Sequence, residues 1–152
     1  MKKTFLLALL VCALLLPCLN VGATAQLITL DGVTLEIPAD MGTIQEKDDR
    51  TFVPVRFICE YFGCDVSFNE VQQSATITDK NNTSYLVMDG SNQLFVLPDL
   101  AVPTLYNMDT KTFIDQTDER MYVPLRFLAE AMKFTVSWDA STETVSITSA
   151  AE

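Results

Sequence analysis

The sequence predicts an α+β fold built from two tandem ββαββ repeats, each a set of antiparallel strands packed by one helix. Three observations predict it. Residues 50–78 align with residues 120–148 without a gap, and ten of the twenty-nine positions are identical, among them Arg50/Arg120, Val53/Val123, Pro54/Pro124, Arg56/Arg126, Phe57/Phe127 and Glu60/Glu130. Self-similarity at a fixed offset is the mark of a copied structural unit. Within each copy the apolar period switches from 3/4 spacing to strict alternation, so a helix is followed by strands. Asp-Gly pairs at Asp31-Gly32 and Asp89-Gly90 mark tight turns upstream of each helix.

The chain begins with Lys2 and Lys3, an apolar run from Phe5 to Leu16, and Ala23-Thr24-Ala25. That is the layout of a secretory signal peptide, with cleavage expected after Ala25 and an extracytoplasmic, secreted or cell-surface destination. The apolar run is short for a membrane span of ~20 residues. Removing residues 1–25 leaves 127 residues and takes the net charge from −10 to −12, because two basic and no acidic residues are lost. So acidic a chain repels phosphate backbones, which argues against a nucleic-acid partner. No later segment reaches the length of a membrane span.

The first expected hairpin is Leu27–Leu30, a turn, and Val33–Ile37. Pro54 then fits the first turn of a helix, where a missing N–H costs nothing, and Val55, Ile58, Cys59 and Phe62 give it one apolar stripe. Asp48 and Asp49 are expected just ahead of the positive helix end. Gly63 is placed to stop the helix at positive φ. Val66 and Phe68 alternate with polar residues, Asn69 opens a turn, and Ala75–Thr78 completes a hairpin. After the short linker Asp79–Thr83 the second unit follows the same plan. It has a hairpin over Ser84–Leu97, a helix from Pro124 with a stripe of Leu125, Leu128, Ala129 and Met132, and a hairpin over Thr135–Thr148. Lys133 stands where Gly63 stood, which predicts a less regular helix end. The repeats run over about 27–79 and 84–149.

Cys12 and Cys18 leave with the signal, and Cys59 and Cys64 remain. An oxidising compartment permits a disulfide between them, and two small buried thiols are the alternative. Because the second unit has Ala129 and Phe134 there, any bridge is not essential to the unit. Histidine is absent from the whole chain, which removes Ser-His-Asp and Cys-His catalysis and His-held copper or zinc.

"FVPVRFICEYFGCDVSFNE" and "YVPLRFLAEAMKFTVSWDAST" resemble the doubled V-P-L-R-F-(I/L)-A-E-A-(L/M)-G-x-x-V-x-W-(D/N) signature of copper amine oxidase N-terminal-like, or stalk, domains. The resemblance covers about residues 27–149, with departures at Cys59 and Phe68. It implies a secreted or cell-surface bacterial protein and an accessory domain. In the amine oxidases the copper and the quinone cofactor belong to a separate catalytic domain, so the resemblance implies no cofactor and no oxidase activity here.

Several residues invite a functional reading. Arg56 with Glu60, and Arg126 with Glu130, have the i,i+4 spacing of helix ion pairs. They are read as structural, the arginine anchoring the carbonyls of the preceding loop. Trp138 and Phe68 share a face with Val136 and Val66, which predicts core packing over a sugar platform. Tyr106 and Phe113 lie in the longer second loop, Asp99 to Glu119, and are the candidates for an exposed partner contact. Asp109, Asp115, Asp118 and Glu119 lack the spacing of a calcium loop. The expectation is an exported, non-catalytic binding or scaffolding module at the cell envelope, with an envelope protein or cell-wall glycan as partner. The alternatives are a secreted inhibitor or docking subunit of an envelope enzyme and, further off, a small carboxylate-dependent hydrolase.

Overall fold

The computed structural model describes residues 27–150; the expected signal peptide and the cleavage expected after Ala25 lie outside the described residues. Along the chain the elements are β1 (Leu27–Leu30), β2 (Val33–Thr34), β3 (Gln45–Lys47), β4 (Arg50–Pro54), α1 (Val55–Tyr61), β5 (Asp65–Asn69), β6 (Ser74–Thr78) and β7 (Ser84–Met88). They continue with β8 (Gln93–Leu97), β9 (Thr104–Asn107), β10 (Phe113–Asp115), β11 (Arg120–Pro124), α2 (Leu125–Ala131), β12 (Thr135–Asp139) and β13 (Thr144–Thr148).

The fold is mostly β rather than the expected α+β: 45% of the described residues are strand and 11% helix, in three sheets. The expected ββαββ arrangement, with one helix per sheet, is not what forms. Each helix is only seven residues long. The hairpin β1–β2 does not join the hairpin that follows α1. Instead β1 pairs in parallel with β13 at the other end of the chain, in the order β12-β13-β1-β2. Hairpin β5–β6 continues through β7 and β8 to β9 in one five-stranded antiparallel sheet.

The third sheet, β10-β11-β4-β3, was not foreseen, and its cause is local. Phe52 and Val53 are fully buried and Pro54 and Val55 are buried beside them. A short, continuous apolar run fits a strand covered on both faces as well as it fits a helix. Asp48, Asp49 and Glu119 adopt positive φ of 52°, 56° and 57°. They build the β3–β4 and β10–β11 turns, with a full strand between them and the helices. Pro54 and Pro124 are the last strand residues and the N-caps of α1 and α2. The ring, which cannot extend a ladder as a donor, stands where strand gives way to helix.

In this central sheet β4 lies antiparallel to β11, with Val53 opposite Val123, Tyr122 opposite Pro54 and Pro124 opposite Phe52. The two V-P phrases therefore pair with each other around a local two-fold at Val53/Val123. The elements β4, α1, β5 and β6 each begin and end seventy residues before β11, α2, β12 and β13.

The core runs through all three sheets. Phe57, Ile58 and Cys59 of α1 and Leu125, Leu128 and Ala129 of α2 are buried with Val53, Val123, Ile28, Ile77, Leu94 and Ile147. The helices end alike. Gly63 N–H donates to the Glu60 carbonyl and Cys64 N–H to Cys59, as Lys133 does to Glu130 and Phe134 to Ala129. This is the Schellman pattern of 6→1 and 5→2 bonds. The irregular end expected at Lys133 is absent: its φ is 71°, against 72° at Gly63.

Candidate functional site

Two clefts flank the central sheet, with volumes of about 540 Å³ and 510 Å³, within the range of ligand pockets. They are built from equivalent residues. The strand–helix junction supplies Pro124, Leu125, Arg126 and Phe127 to the first cleft and Pro54, Val55, Arg56 and Phe57 to the second. The hairpin after the helix supplies Val136, Trp138 and Val145 to one, and Val66, Phe68 and Ala75 to the other. The third contribution crosses over: Asp49, Arg50 and Thr51 line the first cleft, while Glu119, Arg120 and Met121 line the second. Ten positions correspond at the offset of seventy. The antiparallel pairing of β4 with β11 explains the exchange, since it brings the start of each strand beside the end of its partner.

The two arginines of each phrase have different surroundings. Arg50 donates through Nη1 to the Asp49 carbonyl at 3.0 Å and through Nε to Asp109 Oδ2 at 3.1 Å, and its ion pair with Asp109 closes at 2.5 Å. The Asp109 hydrogen bond and charge raise the pKa of the guanidinium further. Arg120 donates to the carbonyls of Asp118 and Asp40. Anchoring of loop carbonyls, expected of Arg56 and Arg126, is thus done by Arg50 and Arg120. Arg56 and Arg126 are exposed and make no hydrogen bond or ion pair among the described residues. The expected Arg56–Glu60 and Arg126–Glu130 pairs do not form. Nor does a helix gain from a cation in its first turn, where the macrodipole disfavours it.

Trp138 and Phe68 do not pack into the core. They remain 38% and 41% exposed and line the two clefts. Each cleft also carries three carboxylates: Glu46, Asp49 and Asp109 in the first, Asp40, Glu70 and Glu119 in the second. Glu46 Oε2 is buried and has no hydrogen-bond partner among the described residues.

Tyr106 and Phe113 lie apart from both clefts and on different sheets. Tyr106 sits in β9, half-buried against the core. Phe113 sits in β10 with its ring 5.1 Å from Phe52, stacked at 5.3 Å on Tyr122, and under Lys47 Nζ at 4.8 Å. The segment Asp99–Glu119 that carries them contributes two short strands, β9 and β10, rather than one long loop. Cys59 and Cys64 are free, buried thiols. Burial raises both, Cys64 to about 11.

The family model described as Copper amine oxidase N-terminal domain matches residues 29–147. The chain belongs to this family. No curated protein and no solved structure matches it. The matched family is the N-terminal, accessory domain and not the catalytic one. The copper in its name does not fit these residues: the chain has no histidine, and among the described residues no three His, Cys, Asp or Glu side chains gather to hold a metal ion. No described helix is long and apolar enough to cross a membrane.

Sequence reasoning missed the crossover contribution of Asp49, Arg50, Glu119 and Arg120. The identity of Arg50 and Arg120 was in view, but only strand pairing could place them beside the opposite unit's helix.

Proposed function

We propose that this stalk-family domain is an exported, non-catalytic binding module that acts at the cell envelope through contacts with protein or cell-wall glycan. The observation that carries the reading is the pair of matching clefts. Each offers an arginine with no internal partner among the described residues beside a half-exposed aromatic ring, in a lining that charged and apolar side chains share. The signal-peptide layout of residues 1–25 supports export, and the family supports an accessory role. Nothing in the clefts has the nucleophile-and-base pairing of covalent catalysis.

Co-sedimentation of the mature protein with purified peptidoglycan sacculi tests the glycan form of the reading. Retention in the pellet that is competed by soluble wall fragments is expected. A protein that stays in the supernatant, and is not retained by detergent-washed envelopes carrying their proteins either, would overturn envelope binding altogether.

A further inference from the structure

We infer that each cleft is a subsite for a carboxylate-bearing sugar unit, so that one chain grips an acidic glycan at two equivalent points. The inference deepens the binding-module reading and rests on it. Arg56 and Arg126 present planar guanidinium forks with no partner among the described residues, and the matching ligand group is a carboxylate, held by two parallel hydrogen bonds. A pyranose has an apolar ring face and a rim of hydroxyls. The ring face suits Trp138 or Phe68 with the adjacent valines, and the hydroxyls suit the carboxylates. In the first cleft Glu46 Oε2, buried without a donor, is such an acceptor, and buried acceptors are normally satisfied. The net charge of −12 expected once residues 1–25 are removed sets a limit on the ligand. A dense polyanion is repelled at long range, so the fitting glycan carries its carboxylates singly, between neutral sugars.

Trp138 is the only tryptophan in the chain, so its fluorescence reports the first cleft alone. The probe is a hyaluronan disaccharide, one uronate joined to one N-acetylated amino sugar, with neutral diacetylchitobiose as comparator. The mature protein should titrate with the acidic disaccharide and bind the neutral one at least about tenfold more weakly, the scale of a lost charge-assisted bond. Arg126→Ala should weaken the titration by the same factor, and Arg56→Ala should leave it unchanged. In a Phe68→Trp/Trp138→Phe double variant the roles of the two arginines should exchange. Both arginines are exposed, and a circular dichroism melt verifies that each variant is folded. Equal binding of the neutral sugar, indifference to Arg126→Ala, or an Arg126-dependent response to a free tripeptide carboxylate but not to the sugar would each overturn the inference. The two readings fail separately. If wild type and an Arg56→Ala/Arg126→Ala variant sediment equally with sacculi, the binding module stands and the subsites fall. If the disaccharide titrates but sacculi retain nothing, the subsites stand and wall binding falls.

Discussion

The two helix ends offer a controlled exchange, Lys133→Gly against Gly63→Lys. Both positions are the left-handed residue of a Schellman motif, with φ of 71° and 72° and the same two backbone hydrogen bonds. A non-glycine residue in this conformation costs about 1–2 kcal/mol from the approach of Cβ to the carbonyl oxygen. Glycine gives back about 0.5–1 kcal/mol through its freer unfolded chain. Lys133 is exposed, so its removal forfeits no buried contact. Lys133→Gly should therefore stabilise the domain by about 0.5–1 kcal/mol, and at roughly 2–5 °C per kcal/mol for a domain of this size the melting temperature should rise by a few degrees. A Cβ at Gly63 meets no atom within 4 Å, so Gly63→Lys isolates the conformational cost and should destabilise by a similar amount. The assay is urea unfolding of the mature protein followed by circular dichroism, with the m-value required to stay constant so that the midpoint reports stability. If Lys133→Gly lowers the midpoint, or both substitutions shift it in the same direction, the equivalence of the two helix ends is refuted.

Four other outcomes follow from the packing. A Cβ at Gly42 would lie 2.7 Å from Tyr122 Oη and 2.9 Å from Pro54 Cγ at a φ of 95°. Gly42→Ala should cost about 2–3 kcal/mol by chemical denaturation, whereas a change below 0.5 kcal/mol would mean that this loop is not seated on the central sheet. Phe113→Ala should cost about 2–3 kcal/mol, since it removes a half-buried ring from between Phe52 and Tyr122; a neutral result would free Phe113 for the contact role its loop position suggested. Ellman titration of the mature protein should find no fast-reacting thiol in the native state and two in denaturant, because Cys59 and Cys64 are buried and unbridged; zero in denaturant would reveal a disulfide. Burial raises the Cys64 thiol to about 11, above the ~8.5 of an unfolded thiol. The folded state therefore holds this proton more tightly, its contribution is complete below pH ~8.5, and it is lost as pH climbs toward 11. Melting temperature should fall over that window, and less steeply in Cys64→Ala.

Much of the local structure was legible. The hairpin turns at Asn69 and Asp139 form as their side chains predict, with Asn69 Oδ1 accepting from Val71 and Gln72 N–H and Asp139 Oδ1 accepting from Ser141 N–H. The Asp31-Gly32 turn takes positive φ at both residues, and the helical stripes Val55–Ile58–Cys59 and Leu125–Leu128–Ala129 are buried. What misled was the Arg50–Val55 run. Its apolar residues carry no period that separates a covered strand from the first turn of a helix, and the acidic pair before it, expected as helix-start charges, consists of turn residues, as the positive φ of Asp48 and Asp49 shows. The parallel pairing of β1 with β13 joins residues more than a hundred positions apart, and short strands carry no signal for such a partner. Trp138 and Phe68 were misjudged for a related reason. Alternation identifies which residues share a face of a hairpin, but whether that face is covered depends on the neighbouring element, and here each helix leaves a cleft.

The doubled V-P-(V/L)-R-F phrase can now be divided by cause. Its valine sits on the local two-fold, where Val53 meets Val123 in the register of β4 and β11. Its proline ends the strand and caps the helix. The next residue, Val55 or Leu125, is buried, and the phenylalanine is fully buried as Phe57 and partly buried as Phe127. These four positions are explained by folding, and a copied unit that packs in the same way must repeat them. The arginine is different: it is exposed, unpartnered among the described residues, and set in the first turn of a helix that gains nothing from a cation there. A residue that repeats with the motif but contributes to none of its packing is where a ligand-directed role is to be sought. The substitution of both arginines separates the two causes, since alanine at these positions should leave the unfolding midpoint within ~0.5 kcal/mol of wild type while removing whatever the clefts bind.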